Sequence, residues 1–158
     1  MKKTVLISFI ILALAFVSAQ DLSSQTNLAW NIGAITDKSF KFDPFLWTNG
    51  FTLDLYLSPR LSLSPEVFMV LHNFEFGAFI LAPAVLLNIQ TEGFFLGGGV
   101  TKWWALGTEV SGAPSSDVMC KLNFGLVGHD VKLTVFAVTP FQDFFRDTWL
   151  GATFGIYF

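Results

Sequence analysis

The amino-acid sequence predicts an all-β protein, an eight-stranded antiparallel up-and-down barrel that spans a membrane. Three observations support this prediction: the chain carries little charge, its apolar residues recur at every second position, and the alternating segments number eight. Of its 158 residues, 53% are hydrophobic and 13% are charged, and the mean hydropathy is +0.57. Soluble domains carry about 25% charged residues, so this composition indicates a membrane protein.

The N-terminus has the pattern of a secretory signal peptide. Lys2 and Lys3 precede an uncharged run from Thr4 to Ala19 that ends in small residues, as signal peptides do. A retained anchor is the alternative, but a spanning helix needs about 20 apolar residues, more than this run contains. The sequence therefore predicts a signal peptide over 1–19 and a barrel domain over 20–158.

Charge and cysteine content argue against several kinds of partner. Without Lys2 and Lys3, seven basic and 12 acidic residues remain, a net charge of −5. Nucleic-acid binding is not expected, because phosphate recognition needs clustered Lys and Arg. Cys120 is the lone cysteine, so we expect neither an intramolecular disulfide nor a two-cysteine redox or metal motif.

The apolar segments are unsuited to spanning helices. The longest uncharged candidate, 76–89, has 14 residues with Pro83 in its middle; it is too short to span and is interrupted by a helix breaker. Strict alternation of apolar and polar residues, clearest over 51–57 and 131–135, is typical of a strand with two different faces. In lipid the apolar face can point outward, and only a closed barrel then satisfies the backbone.

Eight strands are predicted, an even number, as in single-chain bacterial barrels. They are placed at 27–35, 49–57, 61–71, 76–89, 94–106, 118–127, 131–138 and 148–158. Tight turns at 58–60, 90–93 and 128–130 alternate with longer connections at 36–48, 107–117 and 139–147. This alternation predicts periplasmic turns and external loops. The connection from His72 to Glu75 departs from the pattern, because it is short where a long loop is expected.

The last strand carries the most specific signal. Leu150, Ala152, Phe154, Ile156 and Phe158 are apolar at every second position, and Phe158 is the final residue. In this the sequence resembles the small outer-membrane β-barrel family of the OmpX and OmpA transmembrane-domain type. The resemblance implies a location in the cell outer membrane of a Gram-negative-type bacterium. It also implies that Phe154, Ile156 and Phe158 form the signal read by the barrel-assembly machinery.

If the apolar residues face lipid, the other residues of each strand point into the barrel. This inward set includes Thr52, Asp54, Tyr56, Ser62, Ser64, Glu66, Lys121, Asn123, Gly125, Lys132 and Thr134. Two acids, Asp54 and Glu66, are expected to face two bases, Lys121 and Lys132, across a lumen just wide enough for side chains to fill. We interpret these four residues as a charge network in a neutral, hydrogen-bonded plug; a gate that admits small ions is the alternative. Lys102 is left with two orientations, inward or at the outer rim.

No pattern in the sequence indicates a catalytic, cofactor or metal site. His72 and His129 are the available general bases, but no serine is close to His72 in sequence, and His129 lies beside Asp130 in a predicted turn. The acidic residues of the loops lack calcium-binding spacing. The glycines at 97–99 lack the strand-to-helix context of a phosphate-binding loop.

The sequence therefore predicts a monomeric, non-enzymatic outer-membrane protein with a structural or surface-interaction role. Its expected partners are outer-membrane lipids and lipopolysaccharide, the barrel-assembly machinery during insertion, and surface partners of the outer loops. Three alternatives stay open: an outer-membrane lipid hydrolase with His72 as its base, a small ion-conducting barrel, and a soluble periplasmic ligand-binding barrel with its apolar residues inside.

Overall fold

Antiparallel β-strands make up most of the described chain. The computed structural model describes residues 26–37, 46–72, 75–107, 114–142, 144 and 147–158. Its strands are β1 (Thr26–Asp37), β2 (Leu46–Ser58), β3 (Leu61–His72), β4 (Glu75–Thr91), β5 (Phe94–Thr101), β6 (Trp104–Gly107), β7 (Met119–Val127), β8 (Val131–Pro140) and β9 (Trp149–Tyr157). Within these residues, no helix has the length and apolar character needed to cross a membrane.

The strands close into a ring of eight members. They pair in the order β3-β2-β1-β9-β8-β7-β5-β4, and β4 pairs with β3 to complete the ring. The short β6 pairs with β4, as β5 does, so β5 and β6 are two parts of one barrel strand. All pairings in the ring are antiparallel, which confirms the predicted eight-stranded up-and-down barrel.

The strand predicted over 94–106 is present as one barrel strand, but it contains a short interruption that was not expected. The strand is interrupted after Thr101 and resumes at Trp104. At the interruption, the Lys102 N–H donates to the Pro83 carbonyl at 3.2 Å, but proline has no N–H with which to return the bond. Pro83 lies within the continuous strand β4, but it interrupts the neighbouring strand between β5 and β6.

Several other strands are longer than the alternation indicated. β2 begins at Leu46 and β8 ends at Pro140, so the connections predicted at 36–48 and 139–147 are shorter than expected. β4 is the longest, at 17 residues. The remaining ends differ from the predicted ones by no more than two residues. The predicted signal peptide, 1–19, and much of the predicted loops lie outside the described residues.

The two ends of the barrel differ in their connections. Tight turns join β2 to β3, β4 to β5 and β7 to β8, at the positions predicted; we call this the turn end. The opposite end, where the longer connections lie, is the loop end. The short connection between β3 and β4 is also at the loop end, where His72 pairs with Glu75 after a register shift.

Side chains alternate between the inside and the outside of the barrel. On β7, Lys121 and Asn123 are 5% and 3% exposed, whereas Leu122 and Phe124 are 40% and 52% exposed. Charged residues inside and apolar residues outside reverse the arrangement of a soluble barrel, and a closed barrel of this polarity is suited to lipid. The protein is therefore a transmembrane β-barrel, and the alternative of a soluble barrel with an apolar interior is wrong.

Candidate functional site: the barrel interior

A buried carboxylate organises the turn-end half of the lumen. Asp54 on β2 is 3% exposed, and Lys132 Nζ on β8 donates to its two oxygens at 2.8 and 3.0 Å. Ser64 Oγ on β3 donates to Oδ1 at 2.5 Å, and the Tyr157 hydroxyl on β9 donates to Oδ2 at 2.9 Å. The carboxylate is thus both paired and hydrogen-bonded, which are the conditions under which a charge is tolerated away from water.

A second ion pair crosses the middle of the lumen. Lys121 Nζ on β7 donates to Glu66 Oε1 on β3, and both side chains are 6% exposed. The Lys121 ammonium also lies 4.8 Å from the ring centroid of Phe68 and 4.2 Å from that of Phe136. Aromatic faces attract a cation at such distances, so the two rings hold Lys121 in place beside Glu66.

The four residues of the predicted charge network thus form two pairs, Asp54 with Lys132 and Glu66 with Lys121. In the described part of the chain, no direct hydrogen bond joins one pair to the other. Alternation along a strand indicates which face a side chain occupies, but the choice of partner across the lumen depends on strand stagger. The sequence contains no local signal for that stagger, so the alternation alone cannot assign the two pairs.

Polar contacts continue from the first pair to two asparagines. Asn88 Nδ2 on β4 donates to Ser64 Oγ at 2.6 Å, while Asn88 Oδ1 and Asn123 Oδ1 are buried and have no hydrogen-bond partner among the described residues. Both oxygens face Gly97 on β5, where an added Cβ would overlap them. A polar cavity of about 10 Å³ adjoins Asn123, close to the volume that one water requires.

Asn88 also faces the lumen, and the alternation of its strand contains the signal for this. It lies between Leu87 and Ile89, which are 48% and 64% exposed, and is itself 1% exposed. The rest of the run 76–89 is apolar, so a single polar residue gives only a weak signal for the inward face.

The loop-end half of the lumen contains an apolar cluster, which the sequence did not indicate, beside buried threonines such as Thr48 and Thr101. Its core consists of Ile35, Val70, Met119, Phe136 and Val138, each no more than 6% exposed. Trp103 and Trp149 pack against this cluster with ring centroids 5.7 Å apart, and a cavity of about 20 Å³ remains beside Trp103. On β3 and β8 both faces of this half are apolar, so the sequence of these strands shows no contrast from which an inward face could be recognised.

Side chains also fill the lumen at the turn end. The Tyr157 hydroxyl is held by Asp54 at 2.9 Å, and Asn27 Nδ2 donates to the Tyr56 hydroxyl at 3.4 Å. Polar residues at the turn end and mainly apolar residues at the loop end therefore fill the interior. The interior of an eight-stranded barrel is narrow enough for side chains to do so.

The two histidines lie at opposite ends of the barrel. His129 Nδ1 is 2.5 Å from Asp130 Oδ1 in the β7–β8 turn, with side chains 96% and 78% exposed. His72 is exposed at the loop end of β3, and its backbone lies opposite Glu75 in the β3–β4 pairing. Neither histidine is buried. Within the described ranges, no group of three or more His, Cys, Asp or Glu side chains could hold a metal ion.

The three residues of the predicted assembly signal share one outward-facing row. Phe154, Ile156 and Phe158 are 46%, 39% and 79% exposed. The Phe158 N–H donates to the Leu28 carbonyl at 3.0 Å, which joins the end of the chain to β1 where the ring closes.

Comparison with known proteins finds similarity of structure but not of sequence. No protein-family model and no curated protein sequence matches the chain. The solution structure of TMB2.3, a de novo designed protein, superposes with a TM-score of 0.53 at 16% identity, covering 84% of this chain and 94% of that one. The N-terminal β-barrel domain of Pseudomonas aeruginosa OprF superposes with a TM-score of 0.52 at 10% identity, covering 85% and 98%.

These similarities show the fold alone. The evidence for a lipid-facing exterior is the exposure of apolar side chains in this chain. An even number of antiparallel strands, tight turns at one end and an apolar outer face are characteristic of bacterial outer-membrane barrels. The protein is located in the cell outer membrane, and it has the fold of the small eight-stranded outer-membrane β-barrels of the OmpX and OmpA transmembrane-domain type.

Proposed function

We propose that this outer-membrane barrel is a non-enzymatic protein with a structural or surface-interaction role. The observation that carries the proposal is the filled lumen. Lys121 lies between Phe68 and Phe136 in the middle of the barrel, and the cavities on either side of it measure about 10 and 20 Å³. A lumen of this kind supports a barrel that acts through its outer surfaces rather than as a passage for solutes.

The surfaces that remain for interaction are the lipid-facing wall and the loop end. We propose that lipopolysaccharide and other outer-membrane lipids contact the wall, and that the connections at 36–48, 107–117 and 139–147 are presented to surface partners. Insertion by the barrel-assembly machinery through Phe154, Ile156 and Phe158 is part of the same proposal, as is a monomeric state. The exposure of these three side chains on the outer wall supports their recognition by the machinery.

Conductance measurements test the filled lumen. The purified barrel, folded and incorporated into planar lipid bilayers, is expected to give no steady single-channel current, whereas a porin reconstituted in parallel gives the open-channel control. A steady current from the wild-type barrel would contradict the proposal and favour a small ion-conducting barrel.

The lipid-hydrolase alternative is checked on the same preparation. Release of fatty acid from outer-membrane lipid that His72→Ala abolishes would establish it.

Labelling of single cysteines in intact cells tests surface presentation. In a Cys120→Ser background, Ser115→Cys at the exposed loop end is expected to react with a membrane-impermeant maleimide. Pro59→Cys, exposed at the turn end, should react only after the outer membrane is permeabilised. The reverse pattern would place the turns outside and overturn the proposed presentation of the loops.

A further inference from the structure

One inward position of β5 is a glycine that lies between two asparagines. Asn88 on β4 lies opposite Gly97, and Gly97 lies opposite Asn123 on β7. Both asparagine side chains are inside the barrel, at 1% and 3% exposure. Because glycine has no side chain, the two carboxamides can approach each other across β5. The three residues thus form one row on the inner wall.

Hydrogen bonds fix the orientation of the Asn88 carboxamide. Ser64 Oγ donates its proton to Asp54 Oδ1 at 2.5 Å, so the same oxygen can only accept a hydrogen bond from Asn88. The Asn88 atom that lies 2.6 Å from Ser64 Oγ is therefore the amide nitrogen Nδ2. Asn88 Oδ1 consequently points away from Ser64, and a carboxamide oxygen accepts hydrogen bonds but donates none.

Two acceptor oxygens meet over Gly97. A Cβ added to Gly97 would overlap Asn88 Oδ1 and lie 2.7 Å from Asn123 Oδ1, so the two oxygens are close neighbours. Both are buried and have no hydrogen-bond partner among the described residues. An unpaired acceptor is destabilising when it is buried. The pair of oxygens therefore needs a donor that can reach both.

A small cavity lies beside these oxygens. Its volume is about 10 Å³, and Asn123, Ser64 and Thr134 are among the residues that line it. This volume is close to the smallest that holds one water molecule, and a buried water makes about three hydrogen bonds. The two oxygens and the hydroxyl groups of the lining offer that number of polar partners.

The charges in the lumen favour a neutral ligand. Asp54 pairs with Lys132, and Glu66 pairs with Lys121, so these four charges are already balanced. Lys121 and Lys132 also line the cavity, and their ammonium groups would repel a bound cation. Water can donate two hydrogen bonds without adding a charge.

From these observations we propose that Asn88 and Asn123 bind one ordered water molecule over Gly97. The water donates one hydrogen bond to each of the two Oδ1 atoms. It joins β4 to β7 inside the barrel, across a strand that has no side chain at this position, and it extends the polar contacts of the Asp54–Lys132 pair. The site belongs to the lumen, and it does not depend on the proposed role of the outer surfaces.

NMR of the folded mature barrel in detergent micelles tests the site. Cross-peaks between water and the Asn88 side-chain amide protons that differ in sign between NOESY and ROESY spectra identify a long-lived bound water rather than proton exchange. We expect such cross-peaks in the wild type. Asn123→Leu, which removes one acceptor at similar volume, should abolish them. Asn27→Leu is the matched control, because Asn27 contacts Tyr56 at the turn end, and it should retain them.

A second substitution fills the site instead of removing an acceptor. Gly97→Ala places a methyl group where the two carboxamides meet, so it should also abolish the cross-peaks. Gly98→Ala is its matched control: the added Cβ would meet a methyl group of Leu122 at 3.1 Å and neither asparagine. If Gly97→Ala does not fold, Asn123→Leu decides the question alone.

Three results would overturn the site. The first is a wild-type barrel without these cross-peaks, as a direct hydrogen bond between the Asn88 and Asn123 carboxamides would give. The second is a shift of the Asn88 amide signals when sodium replaces choline in the buffer, which would show a bound cation. The third is a water cross-peak that survives in both Asn123→Leu and Gly97→Ala, because that water would lie elsewhere in the lumen.

Discussion

At the scale of single residues, Asp54 shows how the barrel accommodates a buried charge. Its oxygens accept hydrogen bonds from Lys132, Ser64 and Tyr157, so the negative charge is both paired and solvated by the protein. Burying a carboxylate without such partners costs several kcal/mol. The stability of this half of the lumen therefore depends on Lys132.

Lys132→Met should destabilise the barrel by about 3–5 kcal/mol, because it leaves the buried Asp54 carboxylate without a cation. The double variant Asp54→Asn/Lys132→Met should recover most of this loss, since the carboxamide is neutral. Urea unfolding from lipid vesicles, followed by tryptophan fluorescence, measures the free energy of unfolding. Lys102→Met removes a lysine that has no carboxylate partner among the described residues, and it is the control; equal losses from Lys132→Met and Lys102→Met would contradict the stabilising role of the ion pair.

At the scale of strands, the sequence predicted the barrel well where apolar and polar residues alternate. The order of the strands, the tight turns and the inward position of residues such as Lys121 follow from alternation and turn residues. The interruption beside Pro83 could not be found in this way. It depends on which residue of the neighbouring strand lies opposite the proline, and that register is a property of the assembled sheet.

Pro83→Ala should join β5 and β6 into one continuous strand. The new amide can donate to the Lys102 carbonyl, and a backbone hydrogen bond contributes about 1 kcal/mol to stability. Hydrogen exchange measured by NMR should show a protected amide at position 83 and slower exchange at Lys102. Pro114→Ala, at an exposed site outside the barrel strands, is the control. An unprotected amide at 83 would show that the interruption has another cause.

The final strand supports a prediction that separates assembly from stability. Phe158 is 79% exposed, so its ring contributes little packing within the protein. Phe158→Ser should therefore leave refolding into vesicles nearly unchanged, while lowering the amount of heat-modifiable barrel in the outer-membrane fraction of cells. Phe141→Ser, at an exposed phenylalanine outside the strands, should leave both unchanged. Normal insertion of Phe158→Ser in cells would refute a role in assembly.

At the scale of the whole molecule, the barrel combines one kind of outer wall with two kinds of interior. The outer wall is mainly apolar, whereas the lumen is polar around Asp54 and mainly apolar around Val138 and Trp103. Sequence patterning detected the polar half, because charge and hydrophobicity differ between the two faces there. It could not detect the apolar half, where inward and outward residues are of the same chemical kind.

The apolar outer wall predicts a cost for charge that depends on depth in the bilayer. Val135 and Leu133 on β8 are 52% and 46% exposed to lipid, and Val135 is the farther from the turn end. Val135→Arg should cost about 2–4 kcal/mol near the midplane, and Leu133→Arg should cost less, because the penalty falls toward the interface. Ser115→Arg, at an exposed site beyond the strands, should cost little. Urea unfolding from vesicles gives all three values, and equal tolerance at the three sites would contradict the lipid-facing wall.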